Sequence, residues 1–183
     1  GENYSIGECV FENCTRLTSV TFGNGVTSIG NSAFKGCTWL TKLDIPDNVT
    51  HVGSRAFEDC EKLEELYISA SIESIGNNAF AGCNNIFEIK AGSKKAITAN
   101  ENIFSSDAYN NAVLYVPTGR KFAYEKATPW SNFYILEMDF TGVEEITDNR
   151  VQSTDIYNLQ GRKLEKITQP GIYIINGKKT FIK

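Results

Sequence analysis

A segment of 23 residues recurs along the first half of this chain, and no other feature constrains the fold as strongly. The stretch LTSVTFGNGVTSIGNSAFKGC begins at Leu17, and related stretches begin at Leu40 and Leu63. Four ladders of similar residues keep one register: Leu17, Leu40, Leu63, Ile86; Ile6, Ile29, Val52, Ile75; Phe11, Phe34, Phe57, Phe80; and Cys14, Cys37, Cys60, Cys83. Because one unit is too short to bury its apolar side chains alone, the units must stack on one another.

Each unit changes its hydrophobic period along its length. The first half has the alternation of a β-strand, whose inward side chains in the first full unit are Leu17, Val20 and Phe22. The second half predicts one short helical turn, whose inward face carries Ala33, Phe34 and Cys37. A residue suited to cap this turn precedes it, and in successive units this residue is Asn31, Ser54 and Asn77.

These patterns predict a solenoid with a continuous core and parallel strands along one face. The unit also resembles the BspA-type leucine-rich repeat, whose signature I-x-x-x-A-F-x-x-C-x-x-L is found here in three full and two partial units. The resemblance implies a right-handed α/β leucine-rich-repeat solenoid, with short helical turns on the side away from the strands. We expect this domain to cover residues 1–140, with repeats starting near residues 17, 40, 63 and 86, followed by a C-terminal cap.

The sequence departs from the repeat at both ends of this domain. The first unit has only its second half, YSIGECVFENCTR, which favours a fragment or a processed form over a rebuilt cap. After Ile89 the register breaks, and a strand-like AVLYVP and an aromatic-rich stretch follow. This stretch resembles the closing segment of the family, with a helix through Tyr124 and a Trp-x-x-Phe element. We expect Trp130 and Phe133 to lie in the core of the cap rather than to bind a ligand.

The C-terminal residues form a separate region in this interpretation. Residues 141–150 are predicted to be a linker, and residues 151–183 a small β module, in which Asn176-Gly177 between alternating stretches indicates a hairpin. The stretches IYNLQGRKL and PGIYIINGK resemble C-terminal modules of secreted bacterial proteins, including sorting domains of type IX secretion. The resemblance implies export, and it leaves open whether the module is cleaved or stays attached.

The four ladder cysteines are predicted to be thiols rather than disulfides. They repeat at one position in units about 5 Å apart with parallel side chains, whereas a disulfide needs Cβ atoms about 3.8 Å apart that face each other. We expect them to fill the core as small apolar groups. Cys9 is the odd thiol, because it aligns with the outward positions Ser32, Arg55 and Asn78. Its state stays open, and a reactive thiol or a pair with a segment outside this sequence is among the alternatives.

The residues give no support to catalysis, to a cofactor or to a metal site. His51 is the single histidine and aligns with the exposed positions Ser28 and Ser74, which argues against a Ser-His or Cys-His nucleophile. The chain has no CxxC motif and no glycine-rich phosphate loop after a strand. Its net charge of −4, without a basic stripe, argues against nucleic acid. No apolar run approaches the roughly 20 residues of a membrane span.

The outward positions of the predicted strands form the candidate binding surface. They are Ser19, Thr21, Lys42, Asp44, Glu65, Tyr67, Glu88, Lys90, Val113 and Tyr115. Repeat proteins commonly bind through such a face, and tyrosines are typical anchors of interfaces.

The family resemblance implies a non-catalytic adhesion module, secreted or on the outer surface of a bacterium. Its partner would be an extracellular protein or glycoprotein, on host matrix or on other cells. Two alternatives stay open. One is a glycan-binding accessory protein of a nutrient-uptake system, which an exposed, coplanar aromatic pair would favour. The other is a passive structural stalk.

Overall fold

The computed structural model describes residues 3–97 and 99–140, and four C-terminal strands as backbone. The chain divides into two compact units, Gly1–Thr141 and Gly142–Lys183. The described strands of the first unit are β1 (Tyr4–Ile6), β2 (Val26–Ile29), β3 (Lys42–Ile45), β4 (His51–Val52), β5 (Glu65–Ile68), β6 (Ser74–Ile75), β7 (Glu88–Ala91), β8 (Val113–Pro117) and β9 (Tyr134–Met138). Its helices are α1 (Ser106–Asn111) and α2 (Lys121–Glu125), with 3-10 turns at Glu101–Ile103 and Trp130–Asn132.

The strands of the first unit form two parallel sheets. Strands β3, β5, β7, β8 and β9 make a five-stranded sheet, and β1, β2, β4 and β6 make a four-stranded one. From β3 to β7, paired residues stand one repeat apart, so that Lys42 pairs with Glu65 and Glu65 with Glu88. This register follows the sequence ladders and confirms the predicted solenoid.

The first full repeat, which begins at Leu17, lacks the strand that its alternating sequence predicts. Residues 17–23 lie outside the strands, and the five-stranded sheet begins one unit later, at β3. Phe22 still packs edge-on against Phe34, with ring centroids 5.9 Å apart. The apolar side chains of this unit therefore reach the core, but its backbone does not join the sheet. Ser19 and Thr21 are exposed and are not part of the sheet, which corrects their predicted place on a strand.

The segment after β2 consists of hydrogen-bonded turns and not of a helical turn, which corrects the prediction. Three N–H groups donate to the carbonyl three residues earlier, and they belong to Ala33, Lys35 and Cys37. The alternate N–H groups donate to carbonyls of the next unit, and they belong to Ser32, Phe34 and Gly36. The same alternation recurs after β4. Each turn segment is thus bound to its neighbour by a row of backbone hydrogen bonds.

Two residues in each turn segment have a left-handed backbone. The first position is occupied in successive units by Cys9, Ser32, Arg55 and Asn78, with φ between 53° and 58°. The second position is occupied by Asn13, Gly36, Asp59 and Gly82. Glycine, asparagine and aspartate are the residues that adopt this conformation at the lowest cost, which explains the composition of the second position.

Asn31 links two units instead of capping a helix in its own. Its Oδ1 accepts a hydrogen bond from the N–H of Ser54 in the next unit at 2.9 Å. Asn77, at the equivalent position two units later, accepts one from Asn100 Nδ2. The predicted N-cap position is therefore part of a polar ladder between units.

The phenylalanine ladder forms a column of stacked rings in the core. Its members are Phe11, Phe34, Phe57, Phe80 and Phe104. Successive ring centroids are 5.0, 5.2, 5.5 and 5.2 Å apart, and no interplanar angle exceeds 14°. Phe104 continues the column beyond the break in register. It follows Phe80 by 24 residues, whereas the other members are 23 residues apart.

The ladder cysteines of the inner units are buried thiols, as predicted. Cys37, Cys60 and Cys83 donate, in that order, to the carbonyls of Phe11, Phe34 and Phe57 at 3.3, 3.4 and 3.1 Å. Each thiol thus satisfies a backbone acceptor of the preceding unit. Cys14 and Cys9, both in the first, partial repeat, are exposed.

An aromatic cap covers the C-terminal end of the ring column. Trp130 and Phe133 are buried, as predicted, and contact Phe104 edge-on at 6.1 and 5.2 Å between centroids. Trp130 Nε1 donates to the carbonyl of Ile97 at 2.7 Å. Tyr124 Oη, on α2, donates to the carbonyl of Ser93 at 2.8 Å. These two hydrogen bonds therefore link the cap to the irregular stretch that follows β7.

The second unit contains β10 (Ile156–Tyr157), β11 (Lys163–Leu164), β12 (Gly171–Ile175) and β13 (Lys178–Ile182). These strands pair antiparallel in the order β11-β10-β12-β13. Strands β12 and β13 flank Asn176-Gly177, where the sequence predicts a hairpin turn. The two turn residues and the predicted linker 141–150 lie outside the described residues.

Candidate interaction surface

The five-stranded sheet arranges the outward side chains of the repeat in two columns. The first column is Lys42, Glu65, Glu88, Val113 and Tyr134, and the second is Asp44, Tyr67, Lys90, Tyr115 and Leu136. We call these two columns the strand face. Adjacent strands lie about 4.8 Å apart, so the strand face is about 20 Å long. Eight of the ten predicted binding residues belong to it, namely all except Ser19 and Thr21.

The charged side chains of the strand face lie on β3, β5 and β7, and they partly neutralise one another. Lys42 Nζ lies 3.0 Å from Glu65 Oε2 on the adjacent strand, and the hydrogen bond to this carboxylate raises the pKa of Lys42. Lys90 Nζ lies 2.6 Å from Glu88 Oε1 on the same strand. Lys42 and Asp44 are exposed, so their charges are accessible to solvent.

The two tyrosines of the second column, Tyr67 and Tyr115, are half-buried. Burial raises the pKa of Tyr67, with a further contribution from Asp47 and Asp44. Burial also raises the pKa of Tyr115. Both hydroxyls are protonated at neutral pH, as ordinary tyrosines are, and burial extends this to higher pH.

Val113 is buried, which corrects the prediction that it is available to a partner. It is only 3% exposed, yet it is not a member of the continuous core cluster. Val113 pairs with Glu88 on one side and with Tyr134 on the other. These longer side chains flank the short valine and leave it little access to water.

Three residues near this surface escaped the sequence prediction. Tyr134 and Leu136 extend the two columns onto β9, which the alternation in YILEM could have indicated. Phe140 contacts Tyr67 across the sheet, with ring centroids 6.4 Å apart. No periodicity could have placed Phe140 there, because it follows the last strand of the sheet.

Among the described residues outside the strand face, the single histidine has only local polar neighbours. His51 is exposed on β4, as predicted, with its Nδ1 2.6 Å from Thr50 Oγ1 and its Nε2 3.8 Å from Glu73. In the described part of the chain, no three side chains among His, Cys, Asp and Glu are grouped closely enough to hold a metal ion. None of the helices described is long and apolar enough to cross a membrane.

Parallel sheets repeated every 23 residues around a column of phenylalanine rings define a leucine-rich-repeat solenoid. The sequence profile of the BspA type leucine rich repeat region matches residues 2–115 in six copies. The chain belongs to this family. Leucine-rich repeats mediate protein–protein interactions and are typically non-catalytic, and BspA-like proteins are generally secreted or associated with the cell surface.

Among solved structures, the chain is similar to a leucine-rich repeat protein from Bacteroides ovatus, at 28% identity and a TM-score of 0.45. The match covers 63% of this chain and 31% of that protein, so the chain spans about a third of the length of this relative. No curated protein matches the chain.

Proposed function

We propose that this chain is a non-catalytic adhesion module of a secreted or surface-exposed bacterial protein, and that its strand face binds an extracellular protein or glycoprotein. The observation that carries the proposal is the contrast between two sets of positions in the repeat. The inward ladders keep the same residue types from unit to unit, whereas the outward columns change from Lys42 to Glu65, and from Asp44 through Tyr67 to Lys90. A rigid scaffold thus presents a surface whose chemistry differs at every strand.

The half-buried tyrosines add apolar contact area beside the charged positions. Aromatic anchors surrounded by polar residues are typical of protein interfaces. We therefore expect the charges of Lys42 and Asp44 to orient a partner, and the region of Tyr67 and Tyr115 to supply most of the affinity.

A capture experiment would test the proposal. The protein, residues 1–183, is immobilised and exposed to matrix proteins, plasma proteins and other cells. The informative variant combines Lys42→Glu with Asp44→Lys, which reverses two exposed charges on the strand face and keeps the net charge. The matched control combines Lys94→Glu with Glu101→Lys, two exposed residues outside the strand face. We expect capture of a partner by the wild type and the control, and a reduction of about tenfold in the strand-face variant. Equal capture by all three proteins, or by none of them, would contradict the proposal.

The strand face does not favour the glycan-binding alternative. Tyr67 and Tyr115 stand two strands apart, with Lys90 between them, and both are half-buried. A pair on which a sugar ring stacks is exposed, and these two tyrosines are not. A blank glycan array together with capture of a protein would agree with this assignment.

A further inference from the structure

The chain leaves the five-stranded sheet at the end of β9 and returns over the strand face. The ring of Phe140 packs against that of Tyr67 at an interplanar angle of 39°. Tyr67 belongs to β5, and two strands, β7 and β8, stand between β5 and β9. Phe140 comes only two residues after Met138, the last residue of β9, so the chain turns back sharply to make this contact.

Tyr67 leans beyond its own strand towards the end of β7. A Cβ built at Gly92 would lie 3.1 Å from Tyr67 Oη, so the absence of a side chain at position 92 leaves room for the hydroxyl. Lys90 and Tyr115 continue the same column on the next two strands, and both are half-buried. The ring of Phe140 therefore contacts the strand face at Tyr67, in the column that Lys90 and Tyr115 continue.

We infer that the surface formed by Tyr67, Lys90 and Tyr115 is a docking site for one aromatic side chain of a protein partner, and that Phe140 occupies it in the unbound chain. This inference rests on the proposed function and names the chemistry that the strand face recognises. A tilted ring pair with centroids 4.5 to about 7 Å apart is a favourable aromatic contact. Phe140 thus shows what fits the site, which is a phenyl ring carried by a peptide segment, with an acidic residue, Asp139, before it.

A partner has to displace Phe140 before its own ring can dock. The apparent dissociation constant rises in proportion to the loss of free sites, so a site that is occupied in about nine molecules of ten binds about tenfold more weakly. Removal of the Phe140 ring should therefore strengthen binding, whereas removal of an ordinary contact residue weakens it. The direction of the change in affinity therefore distinguishes an internal competitor from a contact residue.

A labelled peptide with the sequence LEMDFTG, which corresponds to residues 136–142, is the probe. Fluorescence anisotropy would measure its binding to the full chain and to the Phe140→Ala variant. We expect about tenfold tighter binding to the variant than to the wild type, and no binding of the control peptide LEMDATG to either. Adding Tyr67→Ala to Phe140→Ala should abolish the gain.

Two further variants separate a specific effect on the docking site from a general effect of substitution. Phe122→Ala removes another phenylalanine of the same unit, 71% exposed on α2, and should bind the peptide as the wild type does. Gly92→Ala in the Phe140→Ala background keeps both tyrosines but crowds Tyr67 Oη, and it should weaken peptide binding.

The result that would overturn the inference is equal binding of LEMDFTG and LEMDATG, or equal affinity for wild type and Phe140→Ala. Dimerisation of Phe140→Ala in gel filtration without peptide binding would also overturn it, because the exposed surface would then accept a second copy of the chain. Capture of a matrix protein that Phe140→Ala leaves unchanged would retain the proposed function and reject only this docking site. Peptide binding without any capture of an extracellular partner would retain the docking site and reject the proposed function.

Discussion

The rings of Phe34 and Phe57 stack almost parallel, with centroids 5.2 Å apart and an interplanar angle of 1°. Parallel rings at this centroid separation fit the offset-stacked arrangement, which is one of the two that aromatic pairs favour, and the column repeats it from unit to unit. The reason lies in the backbone, because parallel strands about 4.8 Å apart place equivalent side chains of successive units directly above one another. Where the repeat ends, the arrangement changes, and Trp130 and Phe133 meet Phe104 edge-on.

Position along the ring column should decide how much each phenylalanine stabilises the fold. Phe57 is fully buried and stacks on both sides, so Phe57→Ala should lower the free energy of unfolding by about 3–5 kcal/mol. Phe11 is 38% exposed and stacks only on Phe34, so Phe11→Ala should cost about 1 kcal/mol. Urea unfolding followed by tryptophan fluorescence would measure both, since Trp39 and Trp130 both lie in the first unit. Equal losses would show that the column does not act as a shared core.

The left-handed positions of the turn segments predict substitutions of opposite sign. Arg55 has a φ of 56°, so Arg55→Gly should raise the free energy of unfolding by about 0.5–1 kcal/mol. The ion pair between Arg55 and Glu58 is long, at 3.9 Å, and exposed on the arginine side, so its removal costs little. Gly82→Ala should instead destabilise by about 1–2 kcal/mol, because φ is +76° and the new Cβ would lie 3.1 Å from Asp59 Cα. Chemical denaturation of both variants measures this difference, and a stabilising Gly82→Ala would refute the account.

Thiol accessibility should divide the five cysteines into two groups. Cys9 and Cys14 are exposed, so an aromatic disulfide reagent should titrate two thiols in the native protein and all five after unfolding. Burial raises the pKa of Cys37 to about 12, so this thiol is neutral as well as inaccessible. The hydrogen bond with Glu12 raises the pKa of Cys9, so Cys9 should react more slowly than a free thiol at pH 8. Glu12→Gln should speed that reaction, while rapid native labelling of more than two thiols would contradict the buried ladder.

The sequence predicts the features of this fold that depend on its repeat. The register of the sheets, the ring column as far as Phe80, and the burial of Cys37 all follow from side chains that recur at one spacing. The burial of the cap residues Trp130 and Phe133 is also predictable, because a solenoid must end in something that covers its last unit.

The features that escaped prediction depend on backbone geometry or on the ends of the repeat. A helical turn and a pair of left-handed residues bury the same apolar positions, so the hydrophobic pattern cannot tell them apart. Residues 17–23 form no strand, so that β3 is paired only on the side of β5, and nothing in LTSVTF itself indicates this. Phe140 lies beyond the last strand, where the repeat no longer fixes the path of the chain.

Alkaline pH should weaken the cap through Tyr124. Burial raises the pKa of Tyr124 to about 12, from an ordinary value of 10.0, and its hydroxyl donates to the carbonyl of Ser93. The folded state therefore keeps this proton when the unfolded state has lost it, so the stabilisation is complete below pH 10 and declines as pH rises towards 12, by on the order of 2 kcal/mol. Half-buried Tyr109, whose pKa is also raised to about 12, adds to the decline. Unfolding free energies measured between pH 8 and 11.5 should fall less steeply above pH 10 in Tyr124→Phe than in the wild type, and identical slopes would exclude Tyr124 as a source of the decline.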